Sequence, residues 1–69
     1  MRILIVDDDI LVLEVLYGLL QKPHAEIDCA DSCEMAKYLL ANNHYDWVTL
    51  DFHLGDGTGV DLLKIIHDY

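Results

Sequence analysis

The stretch Ile3-Leu4-Ile5-Val6-Asp7-Asp8-Asp9 decides how the rest of this sequence is interpreted. A short aliphatic run that ends at once in acidic residues is typical of a strand buried on both faces. Strands of this kind belong to parallel sheets, in which helices cover both faces. We therefore predict that residues 3–6 form the central strand of a parallel sheet, and that the aspartates lie at its carboxyl end.

Strand and helix patterns alternate three times along the 69 residues. The spacing of apolar residues predicts helices at 10–21, from just after Asp31 or Ser32 to about 42, and from 59 to about 67, with further strands at 25–29 and 47–50. A loop rich in Gly and Asp is expected at 52–57. The strand at 25–29 alternates apolar and acidic residues like an edge strand. The predicted fold class is α/β, a three-stranded parallel sheet of order 2-1-3 with three helices, in a single domain at 1–69.

Charge and composition exclude several classes of partner. Thirteen acidic residues against four basic ones give a net charge of −9, which repels nucleic-acid phosphates and anionic membranes. The sequence shows no secretory leader pattern and no apolar run long enough to span a bilayer. We expect a cytoplasmic protein with no direct contact to nucleic acid or membrane. Cys29 and Cys33 have neither redox nor zinc spacing, and we interpret both as structural.

Acidic residues follow two strands that are neighbours in this order. Asp7 and Asp8 follow the first strand and Asp51 follows the third. Ligands of open α/β sheets bind outside the carboxyl ends of the strands, where the strand order reverses. Carboxylates about 4.8 Å apart repel by roughly 1 to 4 kcal/mol per pair, which a hard divalent cation such as Mg²⁺ relieves. The His53 carbonyl is a further candidate ligand, whereas Asp9 is expected to point away from the site or to cap the first helix.

Each of these aspartates taken alone is also typical of a solvated turn. Their joint placement favours a cation site, and the residues around them are similar to the pattern of a known family. Three segments resemble response-regulator receiver domains of two-component signalling: 6–9 (Val-Asp-Asp-Asp), 50–51 (Leu-Asp) and 54–59 (Leu-Gly-Asp-Gly-Thr-Gly). Two positions depart from the family pattern. Gly55 stands where Pro is usual, and Thr58 stands where Asp or Asn is common.

The resemblance implies a function. Asp51 would be the phosphoacceptor, with Mg²⁺ held by Asp7, Asp8, Asp51 and the His53 carbonyl. The phosphodonor would be a sensor histidine kinase or a phosphotransfer protein. The module would not be an enzyme in the ordinary sense. Complete receivers continue for two more strands and two more helices, which carry a hydroxyl residue and a lysine that contact the phosphoryl group. We therefore expect residues 1–69, as a truncated receiver-like domain, to accept phosphate slowly.

Two alternatives to phosphotransfer stay open. The chain could be a phosphorylation-incompetent half-receiver that acts as a dimerisation module, or a metal-dependent phosphohydrolase. We expect a homodimer, formed through the outer edge of strand 47–50 or through the apolar face of the first helix. Trp47 is expected to pack against a helix, with a role as a surface anchor as the alternative.

Overall fold

A parallel three-stranded sheet is the centre of the computed structural model, which describes residues 1–51, 53–58 and 62. The elements in chain order are β1 (Arg2–Val6), α1 (Ile10–Leu20), β2 (Glu26–Ala30), α2 (Cys33–Asn42), β3 (Trp47–Leu50), β4 (His53–Leu54) and β5 (Gly57–Thr58). The order β2-β1-β3 confirms the predicted sheet. Among the described residues there are two helices rather than the predicted three. The predicted helix at 59–67 lies outside the described residues, apart from the buried Leu62.

Strand β1 is the central strand because it pairs with a neighbour on each side. It lies parallel to β2, with Ile3 beside Ile27, and parallel to β3, with Ile3 beside Trp47. Its last four residues, 3–6, are each at most 3% exposed. Burial of both faces explains why this strand has no alternation of apolar and polar residues.

The two faces of the sheet carry separate apolar clusters, because successive β1 side chains point to opposite sides. Ile3 and Ile5 pack with Leu13 of α1. On the other face lies the α2-side cluster, which combines β1, β2 and α2 residues with three residues from later in the chain: Leu4, Val6, Ala30, Cys33, Ala36, Leu40, Tyr45, Leu54 and Leu62. Each helix therefore covers one face, as expected for a parallel sheet.

Both helices begin at a side chain that accepts a backbone hydrogen bond. Asp9 caps α1, and its Oδ1 accepts from the Leu11 N–H at 2.9 Å, which confirms its predicted role. Ser32 caps α2, and its Oγ accepts from the Met35 N–H at 3.1 Å. Of the two predicted starts for α2, the structure selects Ser32. Such caps satisfy N–H groups that the first helical turn leaves without partners.

Much of the apolar surface of α1 is exposed. Ile10, Leu11 and Leu19 are each 66–69% exposed, while Leu13 is buried. Trp47 is 55% exposed, so the expectation that it packs against a helix is wrong. Since Trp47 lies beside Ile3 in the register, it is on the α1 face of the sheet. No helix within the described part of the chain is long and apolar enough to cross a membrane.

A short hairpin occupies the segment predicted as a loop. Strands β4 and β5 pair antiparallel, with His53 beside Thr58 and Leu54 beside Gly57. Leu54 is 8% exposed and belongs to the α2-side cluster, which gives the hairpin an apolar anchor. The loop prediction for 52–57 is therefore wrong in part. The Gly and Asp residues do form a turn, but the residues on either side of it pair.

The amino ends of the strands are joined by a hydrogen-bonded group of three side chains. Asp28 Oδ2 accepts from Tyr45 Oη at 2.6 Å and from Arg2 Nη2 at 3.0 Å, and the Arg2 guanidinium lies 5.4 Å from the Tyr45 ring centroid. The Tyr45 hydrogen bond, together with Arg2, holds the pKa of Asp28 below its usual range. Burial and the bond to Asp28 raise the pKa of Tyr45 to about 12.

Replacing Tyr45 by Phe removes the hydroxyl but keeps the ring. We expect Tyr45→Phe to lower the free energy of unfolding by about 1 kcal/mol at pH 7. The depressed pKa of Asp28 stabilises the fold above about pH 4, and this contribution is lost as the pH falls through the folded-state pKa. The raised pKa of Tyr45 stabilises the fold below about pH 10, and this contribution is lost as the pH rises towards about 12.

Urea unfolding across this pH range measures the difference in free energy of unfolding between wild type and Tyr45→Phe. This difference should shrink at both extremes of pH. Tyr38→Phe is the matched control, since Tyr38 is 64% exposed and is not part of the hydrogen-bonded group around Asp28. A loss of stability for Tyr45→Phe that stays the same from acid to alkaline pH would show that the hydroxyl acts through packing alone.

Candidate functional site

The candidate site lies where β1 and β3 end. Asp7 directly follows β1 and Asp51 directly follows β3. The Asp7 N–H donates to the Ala30 carbonyl at 3.0 Å, and the Asp51 N–H donates to the Val6 carbonyl at 2.9 Å. These bonds continue the strand pairing one residue beyond each strand. The backbone of both aspartates is therefore held by the sheet, at its carboxyl edge.

The three predicted carboxylates meet at this edge. Asp7, Asp8 and Asp51 each offer an oxygen, and these oxygens all lie within 4.8 Å of one another. Asp7 and Asp51 are half-buried, whereas Asp8 is exposed. The structure thus confirms the predicted proximity of the three side chains. Asp9, which caps α1, is not part of the group, as the sequence indicated.

Local hydrogen bonds orient two of these carboxylates. Asp7 Oδ1 accepts from the Asp9 N–H at 2.9 Å, and Asp51 Oδ1 accepts from the His53 N–H at 3.0 Å. In each case the donor lies two residues further along the chain, as in an Asx turn. Both bonds use Oδ1. Among the described residues, Oδ2 of Asp7 and Oδ2 of Asp51 have no hydrogen-bond donor, which leaves one oxygen of each side chain for a ligand.

The donor set fits a hard divalent cation. Three carboxylates offer only oxygen ligands, which Mg²⁺ prefers, and they leave room for water in the remaining positions of an octahedral shell. Within the described segments no Lys, Arg or His forms an ion pair with Asp7, Asp8 or Asp51, and the ion pair that is present joins Arg2 to Asp28. No cationic side chain among the described residues therefore offsets the mutual repulsion of the three carboxylates, and a bound cation would relieve it.

Asp56, at the turn of the β4–β5 hairpin, has a structural role that the sequence pattern did not predict. Its Oδ1 accepts from the Cys33 N–H at 2.7 Å and its Oδ2 accepts from the Glu34 N–H at 2.9 Å. The bonds from Glu34 and Cys33 hold the pKa of Asp56 below its usual range. The Gly-Asp-Gly sequence signals a turn, but no local pattern shows that the turn reaches the start of α2.

Comparison with solved structures supports the same architecture. The response regulator protein TrrA from Thermotoga maritima, solved in complex with Mg²⁺-BeF, is similar with a TM-score of 0.88 and 34% identity. The similarity covers 97% of this chain and 58% of that one. Fold and site together define an open α/β protein with acidic side chains at the point where strand order reverses. Within that class, the chain belongs to the response regulator receiver domain family, which it matches over residues 3–69.

Curated relatives share this region of similarity. Stress response regulator protein 1 from Candida tropicalis is 37% identical over 67 residues, and the transcriptional regulatory protein PmrA from Pectobacterium parmentieri is 40% identical over 64 residues. These matches cover 94% and 93% of this chain, but only 25% and 29% of the relatives. The chain therefore spans less than a third of the length of either protein.

Magnesium should stabilise the fold through the acidic group. At a concentration about tenfold above its dissociation constant, the cation should add about 1.4 kcal/mol, which raises the Tm by several degrees. Asp8→Asn should lose most of this rise because it removes one ligand. In EDTA, Asp8→Asn should melt at the same temperature as wild type or higher, since it also removes repulsion between carboxylates.

Thermal unfolding in EDTA and in increasing Mg²⁺ makes this measurement. Glu26→Gln is the control, because it removes one negative charge at the exposed start of β2, at the opposite edge of the sheet. If Asp8→Asn and wild type respond identically to magnesium, the cation does not bind at the acidic group.

Proposed function

We propose that this chain is a phosphoacceptor module of two-component signalling. In this proposal Asp51 accepts the phosphoryl group, and Mg²⁺ is held by Asp7, Asp8, Asp51 and the backbone carbonyl of His53. The observation that carries the proposal is the meeting of three carboxylates within 4.8 Å at the reversal point of a receiver fold. The Mg²⁺-BeF complex of the related protein TrrA supports a magnesium requirement.

The chemistry follows from the geometry of Asp51. The His53 N–H holds this carboxylate in one orientation through Oδ1, and a carboxylate oxygen of Asp51 attacks phosphorus. A bond forms between that oxygen and phosphorus while the bond from phosphorus to the donor's leaving atom breaks, and the leaving group keeps the electron pair. No general base is required, because an ionised carboxylate has no proton to lose. Bound magnesium supplies charge neutralisation for the carboxylates and the phosphoryl oxygens.

The proposed phosphodonor is a sensor histidine kinase or a phosphotransfer protein carrying a phosphohistidine. A transfer of this kind moves one phosphoryl group between two proteins and turns over no small-molecule substrate, which fits a signalling domain rather than an enzyme. The net charge of −9 supports a partner surface that is basic around its histidine. The same charge supports the absence of direct nucleic-acid binding.

Incubation with magnesium and a small phosphodonor such as acetyl phosphate should add one phosphoryl group to the chain. Intact-mass analysis detects the addition, and treatment with hydroxylamine should remove it because an aspartyl phosphate is an acyl phosphate. Asp51→Asn should abolish the addition, since the amide lacks the nucleophilic carboxylate. Asp8→Asn should reduce it strongly by weakening the magnesium site.

Asp46→Asn is the matched control for phosphorylation. Asp46 Oδ2 accepts from the Arg2 N–H at 2.8 Å at the amino end of the sheet, so the variant removes a carboxylate remote from the site. It should be phosphorylated like wild type. A phosphoryl group on Asp51→Asn, or none on wild type, contradicts the assignment of Asp51.

Exposed apolar surface favours a second property, self-association, which we propose as the alternative role of the domain. Leu11 and Leu19 on α1 are 66% and 68% exposed, and Trp47 on the same side of the sheet is 55% exposed. Burying such surface against a second copy across a two-fold axis would enlarge a small apolar core. Because both copies are acidic, the association should strengthen with salt.

Trp47→Lys and Leu19→Lys should each weaken the dimer by placing a desolvated charge in its interface. Substitution of Trp47 is a better test of pairing at the β3 edge than substitution of Val48. The side chain of Val48 packs against the α2-side cluster, so its replacement would also disturb that cluster. Sedimentation at several protein concentrations measures the effect. Tyr38→Lys, on the exposed side of α2, is the control and should leave association unchanged. A wild-type monomer at micromolar to millimolar concentration rules out self-association.

A further inference from the structure

The β4–β5 hairpin begins two residues after Asp51, and it is attached to the rest of the molecule at two points. Leu54 is buried in the α2-side cluster. Asp56, at the turn, binds the N–H groups of Cys33 and Glu34 at 2.7 and 2.9 Å. Both attachments are to the side of the sheet that α2 covers. The start of α2 therefore fixes where the hairpin lies.

The contact of Asp56 with α2 is well matched chemically. Cys33 and Glu34 are the first two residues of the helix, and their N–H groups have no acceptor within the helix itself. Each oxygen of Asp56 accepts from one of them, so the carboxylate is held in a single orientation. The positive end of the helix dipole favours the negative charge there. Ser32 serves the next free N–H, that of Met35.

The other end of the hairpin contacts the acidic site. The His53 N–H donates to Asp51 Oδ1 at 3.0 Å, and His53 pairs with Thr58 across the hairpin. A continuous path of hydrogen bonds and strand pairing thus runs from the start of α2, through Asp56 and the hairpin, to the Asp51 carboxylate. Displacement of the hairpin would move the N–H that orients Asp51, and also the candidate carbonyl ligand of His53.

We propose that Asp56 is a positioning residue for the acidic site. By holding the hairpin to α2, it keeps the His53 N–H on Asp51 Oδ1 and so leaves Asp51 Oδ2 directed to a cation. Groups that orient a metal ligand without touching the metal typically contribute about 10- to 100-fold to affinity. This inference rests on the proposed function, since it assumes that Asp7, Asp8 and Asp51 bind magnesium.

Titration calorimetry with Mg²⁺ on the full chain, in about 0.15 M salt to screen remote charges, tests the role of Asp56. Asp56→Ala should raise the dissociation constant about tenfold. Ser32→Ala is the matched control, because it also removes a cap from α2 but breaks no hydrogen bond to the hairpin. Both variants should melt earlier than wild type in EDTA, yet Ser32→Ala should bind magnesium like wild type.

Asp56→Asn separates the effect of the hydrogen bonds between Asp56 and α2 from the effect of its negative charge. The amide oxygen can still accept one of the two N–H bonds, so its dissociation constant should lie between those of wild type and Asp56→Ala. Equal weakening in Asp56→Asn and Asp56→Ala would assign the effect to charge and overturn the proposal. So would wild-type affinity in Asp56→Ala, or an equal loss in Ser32→Ala. If Asp56→Ala does not fold, wild-type affinity in Asp56→Asn overturns the proposal.

Failure of the proposed function gives a different result. In that case wild type either binds no magnesium or binds it in a way that Asp8→Asn leaves unchanged. The proposed role of Asp56 is then excluded as well. Where wild type binds magnesium through Asp8 and Asp56→Ala binds equally well, only the positioning role is lost.

Discussion

Parallel pairing of β1 with a neighbour on each side is the constraint on which the remaining structure depends. Parallel strands point the same way, so every carboxyl end meets at one edge of the sheet. Backbone bonds from Asp7 to Ala30 and from Asp51 to Val6 continue the pairing past the strands and fix both aspartates at that edge. The place of Asp7 and Asp51 in the fold is therefore a consequence of sheet topology, whereas the segments after the strands orient their side chains.

The fold could be predicted largely from short-range patterns. The strand predicted at 47–50 is observed as Trp47–Leu50, and the helix predicted at 10–21 is observed as Ile10–Leu20. Periodicity identifies an apolar face but does not show what covers it. For this reason Trp47 was expected to pack against a helix and is 55% exposed.

The acidic group was predictable because it needs only strand ends and strand order. The β4–β5 hairpin and the bonds of Asp56 to the start of α2 were not predictable. Asp56 is 23 residues from Cys33 and 22 from Glu34, so nothing in the local sequence of either segment indicates the other. Ser32 already caps α2, so the helix start by itself gives no sign of a second acceptor. Long-range caps of this kind become visible only when the tertiary fold is known.

The described carboxylates differ in how far protein groups compensate their charge, and this difference separates structural from candidate functional acids. Asp28 accepts from both Arg2 and Tyr45, and Asp56 uses both oxygens on α2. Asp7 and Asp51 each accept one local bond through Oδ1. Asp28, paired with the Arg2 cation, and Asp56, bound to the start of α2, stabilise the fold because their charge is compensated where it stands. Half-engaged carboxylates that crowd together cost stability, and such a cost is typical of a site whose compensation comes from a ligand.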